Sequence, residues 1–465
     1  MNFNSAEAKS FRWPVYTVEM LLLALFVLAV YGQTYGFPFT GYDDPVVIVD
    51  NEAIRDIGSL EGLWNVVKPE AQEGLSEWMP LKNLSLALDY AVLGDTAQAY
   101  RPQTLLWYIL CVIAFHSFII NLIAALNRYG ITAVDRRSQR ITAFMAALLF
   151  AAHPVHVQSV AWLSERKDLL TMTFFFAGLA LHLKSYMKYD GGRLSQKTGV
   201  MILYLLALLS KPSALGFPIM IVMLDAVLDR RPGFIRRHVW NYAAYFVLTL
   251  AFTVFYMKVA GVINEDGSEN LREGVVLFNG TKLQLIGQQL SMYFIWTLWP
   301  VKLIHHPLFE LSETYMSASV LLGLLFLGLL VAVGFLCLRR APLPAVAAGL
   351  FFAGLFPVIG RAPFGQYYEV RYLLFSVAAP ALLLAWLYIP LMRRGLIILA
   401  YALPLIIVVF WTAITLRDSL AWSSHEALWL DALAKEPRLW VAHKNLGVYY
   451  VEVKNMEKAA AHAEA

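Results

Sequence analysis

Apolar positions in this chain gather into long runs, and the polar stretches between them carry most of the charge. Eleven runs stand near residues 17–36, 104–127, 141–160, 168–186, 196–210, 213–229, 239–261, 319–338, 342–360, 371–392 and 395–416. An α-helix needs about 20 apolar residues to cross a hydrocarbon core about 30 Å thick. The pattern therefore predicts an all-α polytopic membrane protein with eleven transmembrane helices, of which 196–210 is the shortest. A further stretch, 283–304, is apolar but interrupted by Gln284, Gln288 and Gln289. Their helical spacing predicts an amphipathic helix.

Charge in the connections sets how the runs alternate, because cytoplasmic loops are enriched in Lys and Arg. Arg128, Arg136, Arg137 and Arg140 follow the second run. Lys184, Lys188, Arg193 and Lys197 flank the end of the fourth, and Arg230, Arg231, Arg236 and Arg237 follow the sixth. With the N-terminus inside, all three fall on the cytoplasmic side. Arg339-Arg340 and Arg393-Arg394 fall there only if 283–304 starts and ends outside, so that stretch is expected to be re-entrant or interfacial. The C-terminus and the loop 37–103 are then exoplasmic. This first loop holds eleven acids, Asp43, Asp44, Asp50, Glu52, Asp56, Glu61, Glu70, Glu73, Glu77, Asp89 and Asp95, against Arg55, Lys68, Lys82 and Arg101. Its balance is opposite in sign to every cytoplasmic connection. A connection of this length is expected to contain short helices and to carry function.

Composition sharpens the picture. Of 465 residues 59% are hydrophobic and 15% charged, where soluble domains carry about 25% charged residues. Lipid must serve as part of the solvent. The net charge of +4 gives no electrostatic case for nucleic-acid binding. Cys111 and Cys337 lie inside apolar runs and read as small hydrophobes. Lys9 and Arg12 precede Leu21–Val30, and Tyr31-Gly32-Gln33 follows where a cleavage site would need small residues. That is the pattern of an uncleaved anchor.

The chain changes character after about Arg417, dividing a membrane domain at 1–416 from an exoplasmic helical tail at 417–465. Trp440, Leu446-Gly447, Tyr450 and Ala459, after Pro437, match the W…LG…Y…A pattern of a tetratricopeptide repeat. One repeat cannot bury its own apolar face. The hairpin either packs on the membrane domain or belongs to a longer array, and a protein is the partner such a tail would recruit.

Four motifs can carry chemistry. Asp43-Asp44, in Tyr42-Asp43-Asp44-Pro45 just after the first run, puts adjacent carboxylates at a membrane surface. Their mutual repulsion is worthwhile where a general base or a divalent cation, Mg2+ or Mn2+, is needed; a solvated acidic turn is the plain alternative. The stretch His153-Pro154-Val155-His156 through Ser164-Glu165-Arg166-Lys167-Asp168 sets histidines and dense charge at membrane depth. Such groups are expensive there and mark sites or substrate paths. Arg166 and Lys167 suit phosphate, one as a planar fork and one as a point charge. Lys211, in Leu208-Leu209-Ser210-Lys211-Pro212, sits at a turn between two runs, and Arg371 stands among the tyrosines of Tyr367–Tyr372. Snorkelling and an aromatic belt are their plain readings.

Taken in order, these pieces resemble the transmembrane-and-tetratricopeptide-repeat (TMTC-type) protein O-mannosyltransferases and their bacterial relatives, within the GT-C class of polyprenyl-phosphate-sugar glycosyltransferases. HPVHVQSVAWLSERKDLL at 153–170 carries most of the resemblance. LLSKP at 208–212 followed by Asp225, the YDDP of the first loop, Trp78-Met79-Pro80-Leu81 and the tail fit the same layout. Gln158 stands where that family commonly has Glu, and Arg101 where a histidine is often found. The resemblance implies a GT-C-like bundle with a structured first exoplasmic loop and a tetratricopeptide-like hairpin. It also implies inverting transfer of mannose or a similar hexose from a polyprenyl-phosphate donor to a Ser/Thr hydroxyl of an acceptor protein. Asp43 or Asp44 would be the general base. Arg166, Lys167, Lys211 and Arg371 would hold the departing phosphate, with His153 and His156 hydrogen-bonding to it. The family's bacterial branch suggests an inner-membrane protein with its site facing the periplasm. A transporter or flippase for a lipid-linked or anionic solute is the alternative from another class.

Overall fold

The computed structural model of the chain describes residues 13–70, 77–188, 194–259, 280–308, 316–360 and 368–464, with 310, 312 and 314. Among these, every regular element is helical. After α1 (Trp13–Tyr31), the first loop contributes α2 (Leu60–Val67) and α3 (Pro80–Leu93). The bundle continues with α4 (Ala97–Arg128), α5 (Arg136–Ala152), α6 (Val157–Ala161), α7 (Arg166–Lys188), α8 (Leu194–Ser210), α9 (Phe217–Leu228) and α10 (Phe234–Val259). It is completed by α11 (Gly280–Leu298), α12 (Ala318–Arg340), α13 (Pro342–Leu355), α14 (Ala378–Trp386), α15 (Tyr388–Arg393) and α16 (Ile397–Leu420). The tail forms α17 (His425–Lys435), α18 (Trp440–Glu452) and α19 (Met456–Ala463).

Six of the described helices, α1, α4, α7, α10, α12 and α16, are long and apolar enough to cross a membrane. The α5 segment and the short helices after it make a seventh if their 53° bend is counted as one broken span. Pro154 explains that bend: it lacks an N–H and disfavours helical backbone at the preceding residue, and His153 is extended (ψ 127°). The other predicted runs, at α8, α9, α13 and α14–α15, are shorter apolar helices.

The core lies around α4 and α7, where Phe115 and Phe118, Phe150 of α5 and Phe176 of α7 are fully buried. The Phe115 ring is 4.6 Å from Phe150 and 5.0 Å from Phe176. At the periphery the balance reverses. Leu250 on α10 and Leu325, Phe335 and Leu336 on α12 are 65–77% exposed. A helix left this apolar on its outside needs lipid as its other partner.

The first loop is folded. Ser59 caps α2 by accepting from the Gly62 N–H at 2.9 Å, and Pro80 opens α3 at a position where no N–H is needed. Val47, Ile48, Ile54, Val66, Leu86 and Tyr100 enclose a small second core together with Leu163. That packing fastens the loop to the turn before α7.

Gly287 of α11 meets Gly323 of α12, and further along both helices Phe294 meets Phe326 at 4.4 Å. The two helices therefore run parallel, and of the described residues between them Glu310 and Ser312 lie back beside Gln288 of α11. Glycine is required at this crossing, since a Cβ on Gly323 would sit 1.8 Å from the Gly287 carbonyl oxygen. Small residues let transmembrane helices approach backbone to backbone. Gly323→Ala is expected to push α11 from α12 and cost about 1–3 kcal/mol, read as a lowered Tm of the purified protein in detergent.

The tail packs onto the bundle. Trp429 of α17 is fully buried in the main core, 5.8 Å from Tyr42. Leu446, Tyr450 and Ala459 fill the inside of the α18–α19 hairpin, whereas Trp440 is 63% exposed.

Candidate active site

The turn that enters α7 assembles the site. Trp162 is extended, Leu163–Glu165 form one 3-10 turn, and α7 begins at Arg166. Glu165 and Asp168 stand about one helical turn apart and share a face, while Arg166 is rotated by about 100° from its neighbour. The first two therefore reach one set of partners and Arg166 reaches another.

Glu165, fully buried, is the hub. Its carboxylate lies 2.7 Å from Arg371 Nη1, 3.3 Å from Lys167 Nζ and 3.3 Å from Lys211 Nζ. Lys211 also meets Asp168 at 2.6 Å, and Lys167 holds Glu77 of the first loop at 2.9 Å. Lys82 of α3 approaches the same Glu77 at 3.6 Å. Pro212 breaks the chain after α8 and leaves Lys211 extended at the cluster. Arg371 arrives on the 3-10 turn Val370–Leu373, its guanidinium 5.5 Å from the centre of the Trp162 ring. Burial pushes the Glu77 carboxyl up, but Lys167 and Lys82 overcome it and hold it at about 2. Burial brings the Lys82 ammonium down to about 8 against the pull of Glu77.

The two adjacent aspartates divide. Asp44 is fully buried, and both its oxygens are engaged. One accepts from Thr40 N–H and Oγ1 at 2.8 and 2.9 Å. The other accepts from Ser164 N–H and Oγ at 3.1 and 2.5 Å. Asp44 thus ties the first loop to the Leu163–Glu165 turn. Asp43 is half-buried, and its carboxyl feels the charges of the cluster. Burial raises it to about 6, with Lys167 and Arg371 pulling down and Glu165 pushing up. With both Asp44 oxygens engaged, Asp43 is the candidate of the pair to take a proton or bind a cation.

Lys167, Lys211 and Arg371 converge on Glu165, and Asp44, next to Asp43, bonds the adjoining Ser164. Three expected residues do not join them. Arg166 turns into α3 and α4, pairing with Asp89 at 2.5 Å and donating to Thr104 Oγ1, Gln103 Oε1 and the Tyr100 carbonyl. With no exposed surface and these partners, it fastens the loop helix and offers no fork to phosphate. His153 lies against Trp411 at 4.5 Å with Nε2 3.2 Å from the Thr297 carbonyl. His156 is packed between Phe150 and Tyr108, at 4.4 and 5.4 Å. Both histidines are fully buried and serve the packing of the α5–α6 bend.

Other residues at this end of the bundle were not marked by the sequence. Glu165 and Asp168 lie in the singled-out motif, but as the partners of its cations they gave no separate signal. The same end carries Tyr42, His305, His306 and Glu369. Tyr42 OH is 2.7 Å from His306 Nε2, and His306 Nδ1 is 2.6 Å from Glu369 Oε1. The His305-His306 dipeptide ends the amphipathic stretch, and this was its one visible cue.

Curated proteins similar to this chain share one activity in their names. Protein O-mannosyl-transferase TMTC3 of Mus musculus is 28% identical over 172 residues, 36% of this chain and 17% of that protein. Protein O-mannosyl-transferase Tmtc1 of Drosophila melanogaster is 28% identical over 200 residues, 41% of this chain and 20% of its own. Protein O-mannosyl-transferase F38B6.6 of Caenorhabditis elegans is 24% identical over 172 residues, 36% and 23% of the two chains. The matches thus span about a fifth of the length of these relatives. No family model matches the chain, and no solved structure does. The relatives are animal proteins, and they do not bear on a bacterial origin. By sequence, this chain is a relative of the TMTC-type protein O-mannosyl-transferases, the family its own motifs resemble.

Proposed function

We propose that this protein is an inverting glycosyltransferase that moves mannose or a similar hexose from a polyprenyl-phosphate donor to a Ser/Thr hydroxyl of an acceptor protein. The reaction takes place on the exoplasmic side of its membrane. The observation that carries this reading is the buried cluster in which Arg371, Lys167 and Lys211 converge on Glu165, beside which Asp44 bonds Ser164 and so places the half-buried Asp43 close by.

Transfer from a phosphate leaving group needs a base for the acceptor hydroxyl and positive charge for the departing oxygens. Asp43 is the base. Asp44 is a positioning residue, because its four hydrogen bonds fix the loop from which Asp43 projects. Lys211 and Arg371 sit at the accessible side of the cluster, 14% and 13% exposed, and Lys167 lies deeper at 5%. Each meets a carboxylate, so the positive charge is held in place before the donor arrives. Preorganised charge of this kind stabilises a developing anion without reorganisation. An Mg2+ or Mn2+ ion here would find one open carboxylate, Asp43. Supporting the wider layout, α11 runs parallel to α12 and so begins on the same side as it, as expected for a segment that starts and ends outside. Each of the eleven apolar runs contains helix, and six of these helices, or seven with the bent pair, are long and apolar enough to cross a membrane. Leu446, Tyr450 and Ala459 face inward in the tail hairpin, which suits a tetratricopeptide-like unit able to recruit a protein partner.

The test is the purified full chain with a radiolabelled polyprenyl-phosphate mannose and candidate acceptor proteins. The rate is expected to rise with pH and level off above about 6, falling about tenfold per unit below it, because only the Asp43 carboxylate accepts a proton. A rate independent of pH across this range would remove Asp43 as base. Donor that crosses the bilayer unchanged, with no label on any acceptor, would favour the flippase.

A further inference from the structure

We infer that His305, His306 and Glu369 form a binding site for a nitrogen-preferring divalent metal ion of the zinc class, beside Tyr42. One ligand atom from each of the three lies within 4.8 Å of the others. The histidines are 8% exposed and Glu369 not at all. Two imidazoles and one carboxylate suit Zn2+, whereas Mg2+ and Ca2+ take oxygen ligands.

The buried atoms themselves point to a missing ligand. Glu369 is in contact with His306 Nδ1 at 2.6 Å and stands 4.0 Å from His305 Nδ1. Beyond the His306 contact and Arg371 Nε at 4.0 Å, the two buried Glu369 oxygens have no aligned hydrogen-bond donor among the described residues. A carboxylate left so is costly, and an ion among the three side chains would satisfy it. For His306 the surroundings supply what metal-bound histidines usually have, a partner on the second ring nitrogen. Tyr42 OH holds His306 Nε2 at 2.7 Å, leaving Nδ1 for the ion. The Gln158 side-chain amide is 2.9 Å from His305 Nδ1, near enough for its oxygen to become a fourth ligand by rotation of the amide. His306 has φ 53°, a strained conformation for a non-glycine residue, and strain of this kind collects at functional sites. A cavity of about 40 Å3 opens beside His305, lined also by Gln158, Trp422 and Asp418. It gives a route for an ion from the tail side.

The experiment uses the full chain in detergent, with any affinity tag removed, stripped by chelator and then offered Zn2+ alone. One Zn2+ per chain is expected to survive desalting, measured by elemental analysis. H305A/H306A and E369Q should each reduce it to background. His443 and His462, whose Nδ1 atoms are 3.0 Å apart in the tail, are tested in parallel by H443A, which should retain the ion. Co2+ offered to the unaltered chain should give the intense visible bands of a low-coordinate nitrogen and oxygen site, a reading that needs no variant to fold. Zn2+ retention equal to that of H305A/H306A, or a Co2+ spectrum like the free aqua ion, would overturn the assignment and leave a proton shared between His306 and Glu369. None of these readings involves a sugar donor, so they stand or fall apart from the transferase reading.

Discussion

Asp43→Asn is expected to lower sugar transfer by about 10²–10⁴-fold, the usual contribution of a positioned general base, with no loss of folding or membrane insertion. The carboxylate is half-buried, and the substitution keeps its shape while removing its charge. Its packing role is small: the bonds that hold the loop belong to Asp44, which joins Thr40 to Ser164. The two aspartates should therefore separate cleanly by experiment. Asp43→Asn keeps its Tm and loses turnover at every pH, while Asp44→Ala loses Tm together with activity. Wild-type turnover from Asp43→Asn would show that some other group takes the proton.

The second large effect is on stability. Glu165→Gln is expected to destabilise the protein by about 3–5 kcal/mol, the cost of removing one partner from a buried ion cluster. One carboxylate faces Arg371, Lys167 and Lys211, and nothing at this position is exposed to water. Lys167 retains Glu77 and Lys211 retains Asp168, so the two lysines keep one partner each. Arg371 loses its 2.7 Å partner and keeps Glu369 at 4.0 Å among its contacts. Thermal unfolding of the purified variant in detergent measures the loss, and a Tm equal to the parent's would show that the cluster is wet enough to screen itself.

Much of the fold was legible because lipid imposes its thickness on the chain. A helix crossing a hydrocarbon core must be apolar for about 20 residues, and α1, α4, α7, α10, α12 and α16 each contain an 18-residue stretch that is apolar enough. The shorter α8, α9 and α13 were also visible as apolar runs, though their lengths alone do not make them crossings. The glutamines in α11 distinguished it from its neighbours: Gln288 bonds the Glu310 carbonyl and the Ser312 N–H, and Gln289 the Gly360 N–H.

The candidate site was legible by region and less so by residue. Sequence brings charges into one stretch, but their directions depend on rotation about a helix that has only just begun. Arg166 and Lys167 are neighbours in the chain, yet one meets Asp89 and the other Glu77. Asp43 and Asp44 part for a similar reason, as the turn that exposes one buries the other. His153 and His156 looked polar at membrane depth, and their positions among Trp411, Phe150 and Tyr108 show imidazole used for its aromatic bulk. The contacts of Tyr42 with His306 and of His306 with Glu369 span 264 and 63 positions of sequence. No local pattern announces such a meeting.

Trp429 reaches from the tail to Tyr42, the neighbour of Asp43. The tail helix α17 is therefore a neighbour of the candidate site as well as part of the main core. If Asp43 is the base proposed above, a partner bound to α18 and α19 would sit on the hairpin that follows α17, whose Trp429 packs one residue from it.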